Sequence, residues 1–266
     1  MNWLKDKSHF ILISFLLGFC MILFLVVPLI GSLTGSASDI PTTLTDGRTI
    51  KAILLSFYCA LLSTVVIFLF GVPLAFLFTR FEFPGKKVVD SLIDLPILIP
   101  HNAAGIALLT VLGPYSFPGK ILGDLGVNVV DTAIGIVAAM IFVSAPFMVR
   151  SAQEAFASVS PEMEQIAKSL GASDFKVFRH VTFPLALRGI LTGCLLSWTR
   201  AISEFGAVVI LSYYPKTVPV LLYDVFVSEG LKAALPINGI LIILAIVILI
   251  TFKLVTSQSR KAYLKQ

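Results

Sequence analysis

Charge is what this sequence has least of. Only 13% of its 266 residues are Asp, Glu, Lys or Arg, whereas about a quarter are charged in a soluble domain. With 57% hydrophobic residues and a mean hydropathy of +0.97, the chain is excluded from the soluble globular class and reads as an integral membrane protein. A net charge of +5 would point to nucleic acid in a soluble protein. Here no nucleic-acid partner is expected, because the positions of the charges say more than their sum. Cysteine is also scarce. Cys20, Cys59 and Cys194 lie far apart inside apolar runs, which excludes a disulfide framework or metal-ligand spacing and leaves them as packing residues. The chain lacks a Walker-type phosphate loop, a Gly-rich nucleotide fingerprint, a metal-ligand cluster and any recognisable nucleophile–base pair. It is therefore not read as an enzyme and holds no cofactor. If ATP powers it, ATP and Mg bind to another chain.

What the sequence has instead is apolar runs of spanning length, about 20 residues each. The fold class expected is all-α, with six transmembrane helices over approximately 10–33, 52–79, 88–112, 132–149, 185–213 and 235–255, and a polar loop over 150–184. The first run is too long for a secretory signal core of about 7–15 residues and reads as a retained span. Gly31–Arg48, rich in Ser, Thr, Gly and Asp, reads as an exposed loop. Gly71 and Pro73 are expected to kink the second span. The third contains Pro96 and Pro100, with Asp94 and His101 nearby. It reads as a helix entering from the interface with Asp94 among the headgroups; the alternative is broken backbone lining a wet cavity. Tyr213-Tyr214-Pro215 marks the interfacial end of the fifth span, and Val218–Val227 is compatible with a short interfacial helix.

Lys and Arg set the orientation. Lys5, Lys7, Arg80, Lys86, Lys87, Arg150, Lys168, Lys176, Arg179, Arg188, Lys253, Arg260, Lys261 and Lys265 share one side, against Arg48, Lys51, Lys120, Lys216 and Lys232 on the other. The positive-inside rule then makes both termini and the 150–184 loop cytoplasmic.

Ser160–Ile190 organises the chain. Ser160 suits an N-cap, Pro161 the first helical position, and Glu162 and Glu164 the positive end of the helix dipole. Met163, Ile166, Ala167 and Leu170 fall at i, i+3, i+4 and i+7 and form one apolar stripe. Gly171 stands where a left-handed cap is wanted. Ser173 starts a second short helix, with Val177, Phe178 and Val181 on one side, which Pro184 is expected to stop. Such a hairpin either plugs into a partner outside the membrane or lies flat on the lipid surface; periodicity does not separate the two.

Within the apolar runs, Arg200 and Glu204 are the only deep charges. At i, i+4 they share a helix face and can neutralise each other. Arg200 either meets an anion in transit or belongs to an internal pair that locks packing, and the cost of an unpaired membrane charge favours the pair.

Gln165-Ile166-Ala167, then Gly171, then Val181-Thr182-Phe183-Pro184 resemble the cytoplasmic loop of binding-protein-dependent ABC importer permeases. That pattern is Glu-Ala-Ala, three residues, Gly, nine residues, Ile-x-Leu-Pro. The Gly-to-Pro spacing is kept, while Gln165 stands where the family has a carboxylate. The resemblance implies that this loop is a coupling helix docking onto an ATP-hydrolysing subunit through Glu162, Gln165, Ile166, Ala167, Leu170, Gly171, Ala172, Phe175, Phe178 and Pro184. Phe83-Pro84-Gly85-Lys86, Asp94-Leu95-Pro96 to Pro100-His101, and Ser203-Glu204-Phe205-Gly206 with Tyr213-Tyr214-Pro215 resemble permeases for tungstate and molybdate; sulfate permeases share several of these features. The implied protein is one importer transmembrane domain over 1–266 in the cell membrane. It would work as a homodimer with two ATP-binding subunits and an extracytoplasmic oxyanion-binding protein, opening a cavity by alternating access. Arg200, Ser203, Glu204 and Gly206 would form its pathway or its structural ion pair. A sulfate or thiosulfate permease is the nearest alternative. An autonomous secondary transporter or channel is the rival class, without the internal repeat such proteins often show, and a bare membrane anchor would not need kinked spans.

Overall fold

A computed structural model of the chain describes the backbone of residues 2–263 and the side chains of 10–251. Lys5, Lys7, Lys253, Arg260, Lys261 and Lys265, counted above for orientation, have side chains outside the described residues. Every regular element among the described residues is helical. They are α1 (Asn2–Ser36), α2 (Ile40–Thr45), α3 (Gly47–Arg80), α4 (Lys86–Leu98), α5 (His101–Leu112), α6 (Phe117–Asp124) and α7 (Ala133–Ala157), then α8 (Pro161–Ser169) and α9 (Asp174–Val177). After a π-helical turn (Phe178–Thr182) come α10 (Phe183–Ile202), α11 (Gly206–Leu211), α12 (Val218–Glu229) and α13 (Leu231–Tyr263). Among the described residues, five helices are long and apolar enough to cross a membrane, and a sixth crossing results if the bent pair α4–α5 counts as one span.

The chain forms two units, one built from the chain up to Ile50 and from Leu222 onward, the other from Lys51–Leu221. In the first, α1 packs on α13 through small and polar residues, with Asn238 Nδ2 donating to Ser32 Oγ at 2.8 Å. Gly239 abuts Ser36 so closely that a Cβ would lie 2.6 Å from its Oγ. Gly31–Arg48 is not the exposed loop its composition predicts. Its hydroxyls fold back into helix: Thr34 donates to Ile30 O at 2.9 Å and Ser36 to Ser32 O at 2.8 Å. Pro41 then opens α2, a favoured early position for proline.

In the second unit, α7 and α10 run antiparallel along a seam of small residues. Ser197 Oγ donates to Ser144 O at 3.1 Å. Further along, a Cβ on Gly193 would meet Ser151 Cβ at 2.8 Å, and one on Gly189 would meet Ala155 Cβ at 2.5 Å. Small residues let backbones approach where lipid offers no hydrophobic drive for association. Gly189→Leu is expected to overfill this seam at a cost of about 1–3 kcal/mol, lowering the yield of detergent-stable protein. Gly123→Ala, where a Cβ meets nothing within 4 Å, should leave that yield unchanged.

Proline acts differently at three places. Pro96 sits inside α4 without ending it, whereas Pro100 separates α4 from α5, bent by 116°. Ile99, forced to extended backbone before a proline, has ψ 145°. Pro184 does not stop the second short helix. The preceding turn widens to π pairing, with Phe183 N–H reaching Phe178 O, and the helix continues from Asp174 to Ile202. A π turn is one way a helix absorbs a local register conflict. The run expected as one span over 185–213 breaks at Ser203–Phe205, and Val218–Glu229 is helical, with Val218, Val220, Leu221 and Val225 buried in protein.

Candidate functional site

Two places concentrate polar chemistry: the α8–α9 hairpin, and the break between α10 and α11. At the hairpin, Ser160 Oγ accepts from the Glu162 N–H at 3.2 Å, capping α8. Gly171 has φ +85°, the left-handed conformation that glycine adopts without a Cβ penalty. Lys168 Nζ lies 2.7 Å from Asp174 Oδ1 across the turn; hydrogen bonding to that carboxylate raises the lysine above its ordinary pKa.

Among the described residues, none of those in α8 is buried. Glu162, Gln165, Ile166, Leu170, Gly171 and Phe175 are exposed, and Ala167 and Ala172 are half-buried. Met163 joins Ile166, Leu170 and Phe175 as a row of exposed large apolar side chains, with Leu170 83% exposed. Phe178 belongs elsewhere. It points inward, its ring 4.8 Å from that of Phe76 and 5.8 Å from that of Phe183, in a group that also holds Phe156. Pro184 is exposed at the start of α10, beyond the hairpin.

At the break, Arg200 Nη2 donates to Glu204 Oε2 at 2.8 Å. Glu204 is 1% exposed, and its other oxygen accepts the Ala207 N–H at 2.8 Å. One carboxylate thus neutralises the arginine and satisfies a backbone donor that the interrupted helix leaves without its i−4 carbonyl. His101, the first residue of α5, lies with Nε2 2.9 Å from Arg200 Nη2. Ser203 Oγ is 3.4 Å from Arg200 Nη1, and Ser203 itself is exposed. Gly206 is buried against α5, where a Cβ would lie 2.6 Å from Asn102 Oδ1 and 2.7 Å from His101 Cβ. Half-helices α5 and α11 therefore begin side by side at this cluster. Its depth follows from the α7–α10 seam: Ser197 meets Ser144 near the middle of α7, and Arg200 lies about one turn beyond.

Sequence reading paired Arg200 with Glu204 but missed His101, which lies 99 positions away. It also missed the partner of Asp94. Arg150 on α7 grips Asp94 with Nε at 2.8 Å and Nη2 at 2.5 Å, and reaches Asp90 Oδ1 with Nη1 at 2.6 Å. Asp94 is therefore held in an ion pair with Arg150. Asp90 and Asp94 at i, i+4 on α4 were the available sign that one cation serves both.

Among the described residues, at most six crossings, a bent helix pair and a broken span around a neutralised charge define a multi-pass membrane transport subunit. A model of the "binding-protein-dependent transport system inner membrane component" matches residues 67–263, and the chain belongs to that family. It is the membrane subunit of an ABC importer; separate subunits of this family bind and hydrolyse ATP, and transport depends on a binding protein. The molybdate/tungstate transport system permease protein WtpB of Pyrococcus furiosus is 39% identical over 261 residues, covering 97% of this chain and 100% of that protein. A probable sulfate transport system permease protein, cysT of Chlorokybus atmophyticus, is 40% identical over 169 residues, 62% of this chain and 59% of that protein. The crystal structure of a bacterial ABC transporter involved in the import of alginate superposes with a TM-score of 0.75, covering 97% of this chain and 98% of that one. At 19% identity it speaks for the fold alone.

Proposed function

We propose that this chain forms the translocation pathway of an ATP-driven importer for molybdate and tungstate, with residues 1–266 acting as one transmembrane domain. The observation that carries the coupling half is the exposed row Met163, Ile166, Leu170 and Phe175 on an otherwise polar hairpin. Apolar patches rimmed by polar residues mark interaction surfaces, and an amphipathic helix presented this way fits a groove on a partner. Glu162, Gln165, Ala167, Gly171 and Ala172 complete the docking face on the ATP-binding subunit, while Phe178, packed on Phe76 and Phe183, anchors the chain just beyond it. The loop 150–184 and both termini are cytoplasmic. The assembly holds two copies of this chain, two ATP-binding subunits and an extracytoplasmic oxyanion-binding protein; ATP draws the two docking hairpins together and opens the cavity outward. The oxyanion class is common to the molybdate/tungstate and sulfate relatives. The metal oxyanion is favoured by the relative that aligns over its whole length.

Two experiments test this. In a variant without Cys20, Cys59 and Cys194, a single cysteine replacing the exposed Ser173 should react with an impermeant thiol reagent only in opened cells. One replacing Ser38 should react in intact cells; the reverse pattern would overturn the orientation. In the purified importer, binding protein loaded with tungstate should stimulate ATP hydrolysis and sulfate should not. Equal stimulation by sulfate would shift the assignment to the wider oxyanion class.

A further inference from the structure

Among the described residues none in α8 is buried, and the buried apolar side chain of the hairpin, Val177, lies on α9, so α8 itself needs a polar tie to the spans. Arg80, the last residue of α3, supplies that tie. Its Nη2 donates to Glu164 Oε1 at 2.8 Å and its Nε to the same oxygen at 3.0 Å. Nη2 also reaches the carbonyls of Phe156 and Val159 at 3.0 Å each, at the end of α7. Glu164 Oε1 further accepts the Thr182 hydroxyl at 2.8 Å, from the π turn that leads into α10. Four elements thus meet on one guanidinium–carboxylate pair: the end of α3, the end of α7, α8 and the root of α10. The side chains of Arg80 and Glu164 are only 14% and 15% exposed, so solvent screens them far less than Lys168–Asp174, whose side chains are 53% and 87% exposed. The rings of Phe76, Phe156, Phe178 and Phe183 pack on one another and join α3, α7, the π turn and α10, but none of them lies on α8.

We infer that Arg80 and Glu164 are positioning residues that carry the ATP-driven movement of the docking hairpin into spans α3, α7 and α10. Among the described residues, Glu164 is the α8 side chain whose one oxygen accepts from both Arg80 at the end of α3 and Thr182 at the root of α10, and α7 is joined to it through Arg80, which donates to the Phe156 and Val159 carbonyls. A hairpin pushed by its partner moves the spans when that oxygen is held, and swings on its two chain connections when it is not. Without the pair, ATP hydrolysis continues and transport does not follow.

This inference rests on the docking reading, and the test separates them. The complete importer is reconstituted in lipid vesicles with its ATP-binding subunits and binding protein, carrying Glu164→Ala, Glu164→Gln, Arg80→Met or Thr182→Val. Glu164→Ala and Arg80→Met should retain the ATP-binding subunit and its hydrolysis while uptake per ATP falls roughly tenfold or more, the scale of losing hydrogen bonds to a charged group. Glu164→Gln keeps an oxygen for Thr182 and should fall between these and the parent. It also serves as the decisive variant if Arg80→Met fails to assemble. Unchanged uptake per ATP in Glu164→Ala and Glu164→Gln would overturn the inference, as would uptake lost only in proportion to lost assembly. A cysteine at Leu170 reports on docking itself: in the parent it should cross-link to the ATP-binding subunit. Its failure to do so would overturn the docking reading, whereas a cross-link with unchanged uptake per ATP would overturn the Arg80–Glu164 link alone.

Discussion

Arg200→Met is expected to reduce assembled transporter to a small fraction of the parent. The substitution strands Glu204, 1% exposed, and breaking a buried pair by removing one member costs about 3–5 kcal/mol. Glu204→Met should be at least as severe, because it strands Arg200 and also removes the acceptor of the Ala207 N–H. An unsatisfied buried donor adds about 1–3 kcal/mol. The charge pair alone predicts recovery when both residues become methionine, since replacing a whole buried pair with apolar groups is often tolerated. The capping bond changes that expectation: Arg200→Met with Glu204→Met should recover only in part. Arg200→Met with Glu204→Gln, which removes both charges but keeps an acceptor for Ala207, should recover more. The measurements are yield of assembled complex and oxyanion uptake per complex. If the Met–Gln double variant assembles well but does not transport, Arg200 belongs to the pathway and the structural reading falls.

The apolar spans were legible because their length and lack of charge leave few other solutions in lipid. Ser160, Gly171 and the α8 stripe were legible for another reason: capping and periodicity are local, and each signal lies within a few residues of what it fixes. The break at Ser203–Phe205 was not. Ile202, Phe205, Ala207 and Val208 continue an apolar run, and nothing in it shows that Glu204 folds back to accept the Ala207 N–H. Nor were the ties across the fold. His101 meets Arg200 over 99 positions, Asp94 meets Arg150 over 56 and Arg80 meets Glu164 over 84. In the sequence each cation counted only toward orientation or toward a nearby partner. Pro184 misled because a π turn before it absorbed the lost backbone donor. Gly31–Arg48 misled because its hydroxyls bond within the helix instead of opposing it.

Ile166→Asp and Leu170→Asp should separate folding from docking more cleanly than any change in the spans. Both side chains are exposed, at 62% and 83%, so no buried contact is lost and the fold should change by no more than about 0.5 kcal/mol. A docking anchor behaves differently. Losing a central apolar contact costs about 2 kcal/mol or more, roughly thirtyfold in affinity, and a carboxylate in a desolvated groove adds its own penalty. Each variant should insert at the parent's level yet lose the ATP-binding subunit during purification, and the double variant should lose it entirely. Tyr115→Asp is the control. Tyr115 is 92% exposed and lies in the loop between α5 and α6, on the side that the distribution of Lys and Arg places outside. It matches the apolar-to-acid change without touching the docking face and should leave the complex intact. If the hairpin instead lies flat on lipid, acid at 166 and 170 would lift it from the membrane surface. The ATP-binding subunit would then co-purify undiminished. That outcome would remove the docking role from Ile166 and Leu170, and with it the main physical support for coupling through α8.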